Sequence, residues 1–261
     1  MTGARDEEAE PAAATVLATI LTYNAPDALV RCLRAVLQQT RPPDAVVVVD
    51  NASVRPVADV LREAGLDGGV SVLRQVANGG PAGGHAAALG AFLSSEHARA
   101  WVMDDDCVPE PGCLKALLRE AQSRRRPAFV FPRWVQPDGA VTHYPAWCGF
   151  LIAREIVEQV GLPMEELFWW AEDTEYLFWR IPRAGHPAVH APAATVHHTQ
   201  VRAVHGNPPW KYYYETRNNV FFHLYVKRRL GRLPQKLTLT VARATFRERK
   251  GRARIFAMIV R

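Results

Sequence analysis

Three consecutive carboxylates, Asp104-Asp105-Asp106, follow the apolar run Trp101-Val102-Met103 and precede Cys107-Val108-Pro109-Glu110-Pro111. A short hydrophobic segment that stops on acids reads as a buried strand delivering them to its C-terminal edge. In open α/β sheets that edge is where ligands bind. Adjacent like charges repel unless a cation or a set of donors neutralises them. On extended backbone Asp104 and Asp106 point the same way and can grip one divalent ion, while Asp105 points oppositely. Hard oxygen donors with open positions suit Mg²⁺ or Mn²⁺ shared with substrate phosphates. The plainer alternative is an acidic turn ahead of a helix beginning at Pro111.

A second group of acids, Glu172, Asp173 and Glu175, begins a helix behind the aromatic run Leu167-Phe168-Trp169-Trp170. Acids in a first helical turn complement the helix dipole and can serve simply as caps. Partly desolvated among aromatics, one of them gains basicity and becomes a candidate general base. Farther on, Pro192 to Gln200 carries His197 and His198. Extended geometry puts them on opposite faces, so only one can face a cleft.

The elements that must position these groups alternate. An apolar strand, Val16 to Leu21, ends on Thr22-Tyr23-Asn24, and helical spacing follows over Asp27 to Gln39. Ala45 to Val49 is the continuous apolar run of a strand buried on both faces, ending on Asp50-Asn51. A helix over 57–64, a strand over 70–75, the turn Asn78-Gly79-Gly80-Pro81-Ala82-Gly83-Gly84-His85 and a helix over 86–94 lead to the strand that stops at Asp104. Short loops between strands and helices predict a doubly wound, Rossmann-like, mainly parallel sheet. The strand endings Thr22–Asn24, Asp50-Asn51, Asn78–Gly84 and Asp104–Asp106 then line one edge, as a nucleotide cleft would require. There Asp50 can accept from a pyrimidine N–H, and Thr22 to Asn24 can frame the base. The glycine-rich turn lacks the Gly-Lys-Ser/Thr of a P-loop, so a tight turn packing a helix on the sheet weighs equally against a phosphate cradle. No G-x-G-x-x-G follows the first strand, which argues against NAD.

Composition sets the frame. The 261 residues are 48% hydrophobic and 22% charged, with a formal net charge of +6, values expected of a folded α/β protein. Cys32, Cys107, Cys113 and Cys148 form no C-x-x-C pair and read as reduced thiols. Met1 to Ala14 is acidic and without the apolar core of a signal peptide, and no run approaches the ~20 apolar residues of a membrane span. The expectation is a cytoplasmic protein with a disordered acidic segment over 1–14. From 226 to 261 basic residues from Lys227 to Arg254 interleave with Leu230, Leu233, Phe246 and Ile255. That pattern predicts a basic amphipathic helical extension, either at the anionic inner face of the plasma membrane or packed on its own domain. No nucleic-acid module accompanies the charge, so nucleic acid is not an expected partner.

Taken together, Thr22-Tyr23-Asn24, Val49-Asp50-Asn51, Asn78 to Gly84, Met103 to Asp106, Gly149 to Arg154, Trp169 to Tyr176 with Arg180, and Tyr213 to Asn218 resemble family 2 inverting glycosyltransferases of the GT-A fold. The likeness covers roughly 15–225, with 15–110 as nucleotide-binding half and 111–225 as acceptor-binding half. The triple aspartate and the Tyr-Tyr-x-x-x-Arg-Asn run look most like rhamnosyl- and galactofuranosyl-transferring members. His85 departs from the Asn that many members carry, and either a buried helix-start role or a donor contact would suit it.

The resemblance implies a metal-dependent enzyme that moves a sugar from a UDP- or dTDP-sugar to a glycan or lipid-linked hydroxyl acceptor. It implies Asp106 and His198 as metal ligands and Asp104 on the ribose or the metal. The donor contacts would be Thr22, Tyr23, Asn24, Asp50, Asn51, Asn78, Gly83, Gly84, Asp104 and Asp105. Asp173 becomes the base with Glu172 in support, and Trp169, Trp170, Cys148 and Gly149 form the acceptor wall. Two other classes compete: a phosphotransferase using Asp104 as nucleophile, and a non-catalytic nucleotide-sugar-binding module. The first would place its Asp-x-Asp on the first strand, and the second has no need of a base.

Overall fold

A computed structural model of the chain describes residues 14–199 and 208–228, with residues 231, 234–235 and 237–239 beyond them. The acidic segment over 1–13 and most of the basic extension lie outside the described residues. The first half alternates β1 (Val16–Thr22), α1 (Pro26–Leu37), β2 (Ala45–Asp50), α2 (Val57–Glu63), β3 (Val70–Arg74), α3 (Gly80–Leu93) and β4 (Arg99–Asp104). There follow β5 (Cys107–Pro109), α4 (Cys113–Gln122), β6 (Phe129–Val135), β7 (Val141–Thr142), β8 (Cys148–Ala153) and α5 (Arg154–Val160). Then come α6 (Glu172–Glu175), a π-helical turn over Tyr176–Arg180, α7 (Ile181–Arg183), β9 (Ala188–His198) and α8 (Pro209–Phe221).

The strands form one sheet in the order β3-β2-β1-β4-β8-β6-β9-β5, with β7 beside β6. β1 is buried at every position and runs parallel to both neighbours. Its register sets Thr22 opposite Asp50 and Leu21 opposite Asp104, so three strand endings finish level at one edge. From β4 onward the sheet turns mixed: β8 pairs antiparallel with β4 and β6, while β6 and β9 run parallel. The GT-A type, mainly parallel α/β fold expected from the sequence is the fold observed.

Period-two alternation splits the core into two layers. Val16, Ala18 and Ile20 pack with Leu29, Leu33, Val36, Trp101 and Leu114 on one face. Leu17, Val102, Phe150 and Ile152 pack with Leu89, Phe92, Ile156 and Leu177 on the other. All four cysteines are free and buried, with the Sγ atoms of Cys107 and Cys148 3.1 Å apart.

Two local expectations are corrected. The glycine-rich stretch is not a turn ahead of a helix at Ala86; it is the first two turns of α3, which begins at Gly80. Pro81 suits the opening of that helix, and Asn51 ties it down from β2. Its amide Nδ2 donates to Asn78 Oδ1 and to the Gly80 carbonyl, each at 3.0 Å, while its Oδ1 accepts from Gly79 N–H. The acidic triplet is likewise not one extended strand. β4 stops at Asp104, Asp105 and Asp106 turn, and the helix after Pro111 starts at Cys113 with β5 inserted before it.

Small residues let α3 lie close on β1. A Cβ added at Gly84 would stand 2.3 Å from Leu21 Cδ1, in the buried layer. Gly84→Ala is therefore expected to lower stability by about 1–3 kcal/mol, the usual cost of overpacking a filled core. Urea denaturation measures it, and an unchanged midpoint would mean that Leu21 repacks without strain.

Candidate functional site

The level strand endings form the floor of a cleft of about 740 Å³. Thr22, Tyr23, Asn51, Asn78, Asp104, Asp105, Asp106, Trp169 and His198 line it, bringing together nine residues singled out in the sequence. Asp105 accepts a 2.5 Å bond from the Thr22 hydroxyl. Asp104 Oδ1 lies 2.9 Å from His85 Nε2, and Asp106 Oδ2 lies 3.3 Å from His198 Nε2. Strand alternation separates the two late histidines as anticipated: His198 faces the cleft and His197 pairs outside with Glu110 at 3.1 Å. His85 is fully buried and not part of the cleft lining; it stands between Asp104 and the Trp147 ring, stacked at 3.9 Å.

Crowding and burial act on these acids. Burial first, then the neighbouring carboxylates Asp104 and Asp106, pushes Asp105 up to about 7 against the pull of the Thr22 hydrogen bond. Asp106 rises to about 6 through burial and Asp104, with His198 opposing. Because the triplet turns, all three acids reach one cleft rather than two faces. Among the described residues, no three His, Cys, Asp or Glu side chains stand close enough together to hold a metal ion. Asp104 and Asp106 are each paired with an imidazole instead.

Several expected contacts lie elsewhere. Asp50 is wholly buried, accepting from Ser53 N–H and Val57 N–H at the start of α2 and from Arg74 at 2.5 Å. In this conformation it holds β2, α2 and β3 together and lies outside the cleft lining. Asn24 takes a left-handed φ of 52° and accepts from Val54 N–H, lining a separate 150 Å³ cavity. Gly83 and Gly84 are buried in α3, and the cleft is lined instead by Gly80 and Pro81. Cys148 and Gly149 are buried core residues of β8 and line neither pocket. There the Gly149 carbonyl accepts from the buried Trp101 indole at 2.9 Å.

A second pocket, of about 210 Å³, shares Trp169 with the cleft and holds Trp170, Glu172 and Asp173. Both acids sit at the start of α6, as their spacing suggested. Glu172 is almost wholly buried, its Oε2 has no hydrogen-bond partner, and burial with the Asp173 charge pushes it up to about 8. Asp173 is raised by burial too, against two bonds from Thr174 to its Oδ1.

The loop joining the pockets is strained: Phe168, Trp170 and Ala171 have φ of 57°, 75° and 69°, and such residues persist only where their surroundings over-determine them. Asn218 on α8 does so, its Nδ2 donating to the carbonyls of Leu167, Trp169 and Trp170 at 2.7, 2.9 and 2.6 Å. On the other side Gly80, at φ +66°, packs so closely that an added Cβ would fall 2.1 Å from the Phe168 carbonyl. Sequence reasoning quoted Asn218, Gly80, Phe168 and Tyr214 only as parts of runs and passed over Trp210 and Lys211. Among the described residues Lys211 is the one lysine or arginine that lines the cleft. Its Nζ lies 4.7 Å from the Trp169 ring centroid and 5.6 Å from that of Trp210. The cation set between aromatics in Trp210-Lys211-Tyr212 was the available signal.

An acid-lined cleft at the level ends of parallel strands, joined to an aromatic pocket with desolvated carboxylates, defines a GT-A type domain. Residues 18–166 match the model described as Glycosyl transferase family 2. That match spans more than half of the chain, which belongs to this family. No curated protein matches it in sequence. Among solved structures it is similar to S. aureus TarS, with a TM-score of 0.58 and 17% identity over 91% of this chain and 44% of that one. TarS 1–349 in complex with UDP aligns with a TM-score of 0.57 and 18% identity, covering 91% of this chain and 74% of that one. At such identities the likeness extends to the fold, and this chain spans less than half the length of the first of these TarS chains. No helix among the described residues is long and apolar enough to cross a membrane.

Burial of Glu172 sets a pH dependence of stability. The unfolded chain loses this proton near 4.5 and the folded chain near 8. Between those values the folded state binds more protons, so stability falls as pH rises through the window. Glu172→Gln removes that fall. Its melting temperature is expected to match the wild type at acid pH and exceed it at pH 8–9. A wild-type curve parallel to the variant's across this range would show Glu172 to be ionised in the folded protein.

Proposed function

We propose that this glycosyltransferase is an inverting enzyme. It transfers a sugar from a nucleoside diphosphate donor, UDP- or dTDP-linked, to a hydroxyl of a glycan or lipid-linked acceptor in cell-surface polysaccharide or glycoconjugate synthesis. The observation that carries this reading is the joined pair of pockets: a carboxylate-lined cleft wide enough for a nucleotide, and beyond Trp169 two desolvated acids. The residue pattern favours a rhamnosyl- or galactofuranosyl-type transfer. Residues 15–110 serve the donor and 111–225 the acceptor, and the basic extension from 226 is the candidate contact with anionic membrane.

Roles follow from position. Thr22, Tyr23, Asn51 and Asn78 line the nucleotide side of the cleft, next to the opening turn of α3. The positive end of that helix dipole suits the donor's phosphates. Lys211 adds a full positive charge to the lining, where a diphosphate leaving group needs it. Asp104, Asp106 and His198 are the residues that would hold Mg²⁺ or Mn²⁺ by their donor types. They do not stand close enough together in this conformation to do so, so their side chains would have to draw in around the ion. When bound, the ion would neutralise charge on the leaving diphosphate. Asp173 takes the proton from the acceptor hydroxyl, and the Trp169 and Trp170 rings offer apolar faces for a sugar to stack on. Glu172, buried behind Asp173, supports that carboxylate.

Two experiments test the assignment. Asp173→Asn keeps size and hydrogen bonding but removes the base, so kcat is expected to drop about 10²–10⁴-fold while donor affinity survives. A near-normal kcat would move the role to Glu172. For the metal, turnover should vanish in EDTA and return with Mn²⁺. Asp106→Ala should lose the Mn²⁺-dependent rise in melting temperature that UDP or dTDP confers on the wild type. Full activity in EDTA would exclude a metal role for the triplet.

A further inference from the structure

At the edge of the sheet away from the carboxylate cleft lies a second cavity, of about 680 Å³. β4 spans the two: Arg99 at its start lines this cavity and Asp104 at its end lines the cleft. At ~3.3 Å per strand residue those positions are roughly 17 Å apart. The cavity is walled by Arg99 together with Arg124, Arg125 and Arg126 from the loop between α4 and β6, and its single carboxylate is Glu155. That leaves a surplus of three positive charges around one concave space.

Among the described residues one of the four is paired, Arg124 with Glu120. Among the described residues, Arg99, Arg125 and Arg126 make no ion pair, and Arg99 Nε and Nη1 are buried with no hydrogen-bond partner. Burial presses the Arg99 pKa down, with the Glu155 charge opposing. A guanidinium keeps its charge under such pressure, so a half-buried one without a counter-charge is destabilising. Arginine forks match the tetrahedral oxygens of phosphate bidentately, and several around one cavity complement a dianion better than a single carboxylate does.

We propose that this cavity is a phosphate-binding site, separate from the donor cleft, that takes either free phosphate or the phosphate of an anionic lipid headgroup. The site does not depend on the glycosyl-transfer reading, because it shares no lining residue with the cleft.

The test uses the full chain and two probes, sodium phosphate at ionic strength matched by NaCl, and phosphatidylglycerol vesicles against phosphatidylcholine vesicles. Phosphate is expected to raise the melting temperature beyond matched chloride, and calorimetry should give one site per chain. Arg125→Gln with Arg126→Gln, both exposed, should fold normally and weaken that binding at least tenfold, the scale of losing charge-assisted hydrogen bonds. Arg99→Gln is expected to weaken it further where the variant folds. Asp106→Asn should leave phosphate binding intact, since it alters only the other end of β4. Binding to phosphatidylglycerol vesicles that the double variant loses, without binding of soluble phosphate, would assign the site to a lipid headgroup. The proposal is overturned if neither probe binds, if the double variant binds both as the wild type does, or if Asp106→Asn abolishes the phosphate response.

Discussion

Five carboxylates held near one another in a poorly hydrated place are the constraint around which this protein is arranged. Asp104, Asp105 and Asp106 end at the mouth of a parallel sheet, and Glu172 and Asp173 stand across Trp169 from them. Like charges taken out of water raise one another's proton affinity, and four of the five are raised here. A fold built for stability alone would not gather them. Positioned groups answer four of them: Thr22 donates to Asp105, His85 lies against Asp104, His198 against Asp106, and Thr174 donates to Asp173. Only Glu172 keeps a buried oxygen without a partner among these five.

Geometry, not composition, makes the arrangement possible. β1 is buried along its whole length and paired in parallel on both sides, which brings the ends of β2, β1 and β4 level. Its packing against α3 depends on small residues, Gly84 above all, and α3 in turn presents Gly80 to the strained loop at Phe168. From the far side Asn218 grips the same loop by three carbonyls. One segment of awkward backbone thus joins the strand-edge cleft to the acid pocket, and both its supports are buried polar or close-packed contacts that tolerate little change.

The strands and helices of the first half were legible because each carries a plain periodic signal. Val46 to Val49 can only be a buried strand, and Leu29, Cys32, Leu33 and Val36 can only be one helix face. The acids were legible as candidate chemistry because three adjacent aspartates repel one another unless something neutralises them, although an acidic turn explained them as well. His198 over His197 required one further step, the alternation of side chains along a strand.

What the sequence could not determine is where a polar side chain spends its hydrogen bonds, since that depends on neighbours distant in the chain. Asp50 looked like a base acceptor and is consumed by Ser53, Val57 and Arg74. Cys148 and Gly149 looked like a pocket wall and are interior strand, because β8 inserts antiparallel beside β4. His85 and Lys211 stood out only faintly in the chain, and both gained their places only when α3 and α8 closed on the cleft. The kind of chemistry was written in residue types and spacing. Which of those residues remain free to perform it was decided by packing, because burial and long-range hydrogen bonds exist only once the chain has folded.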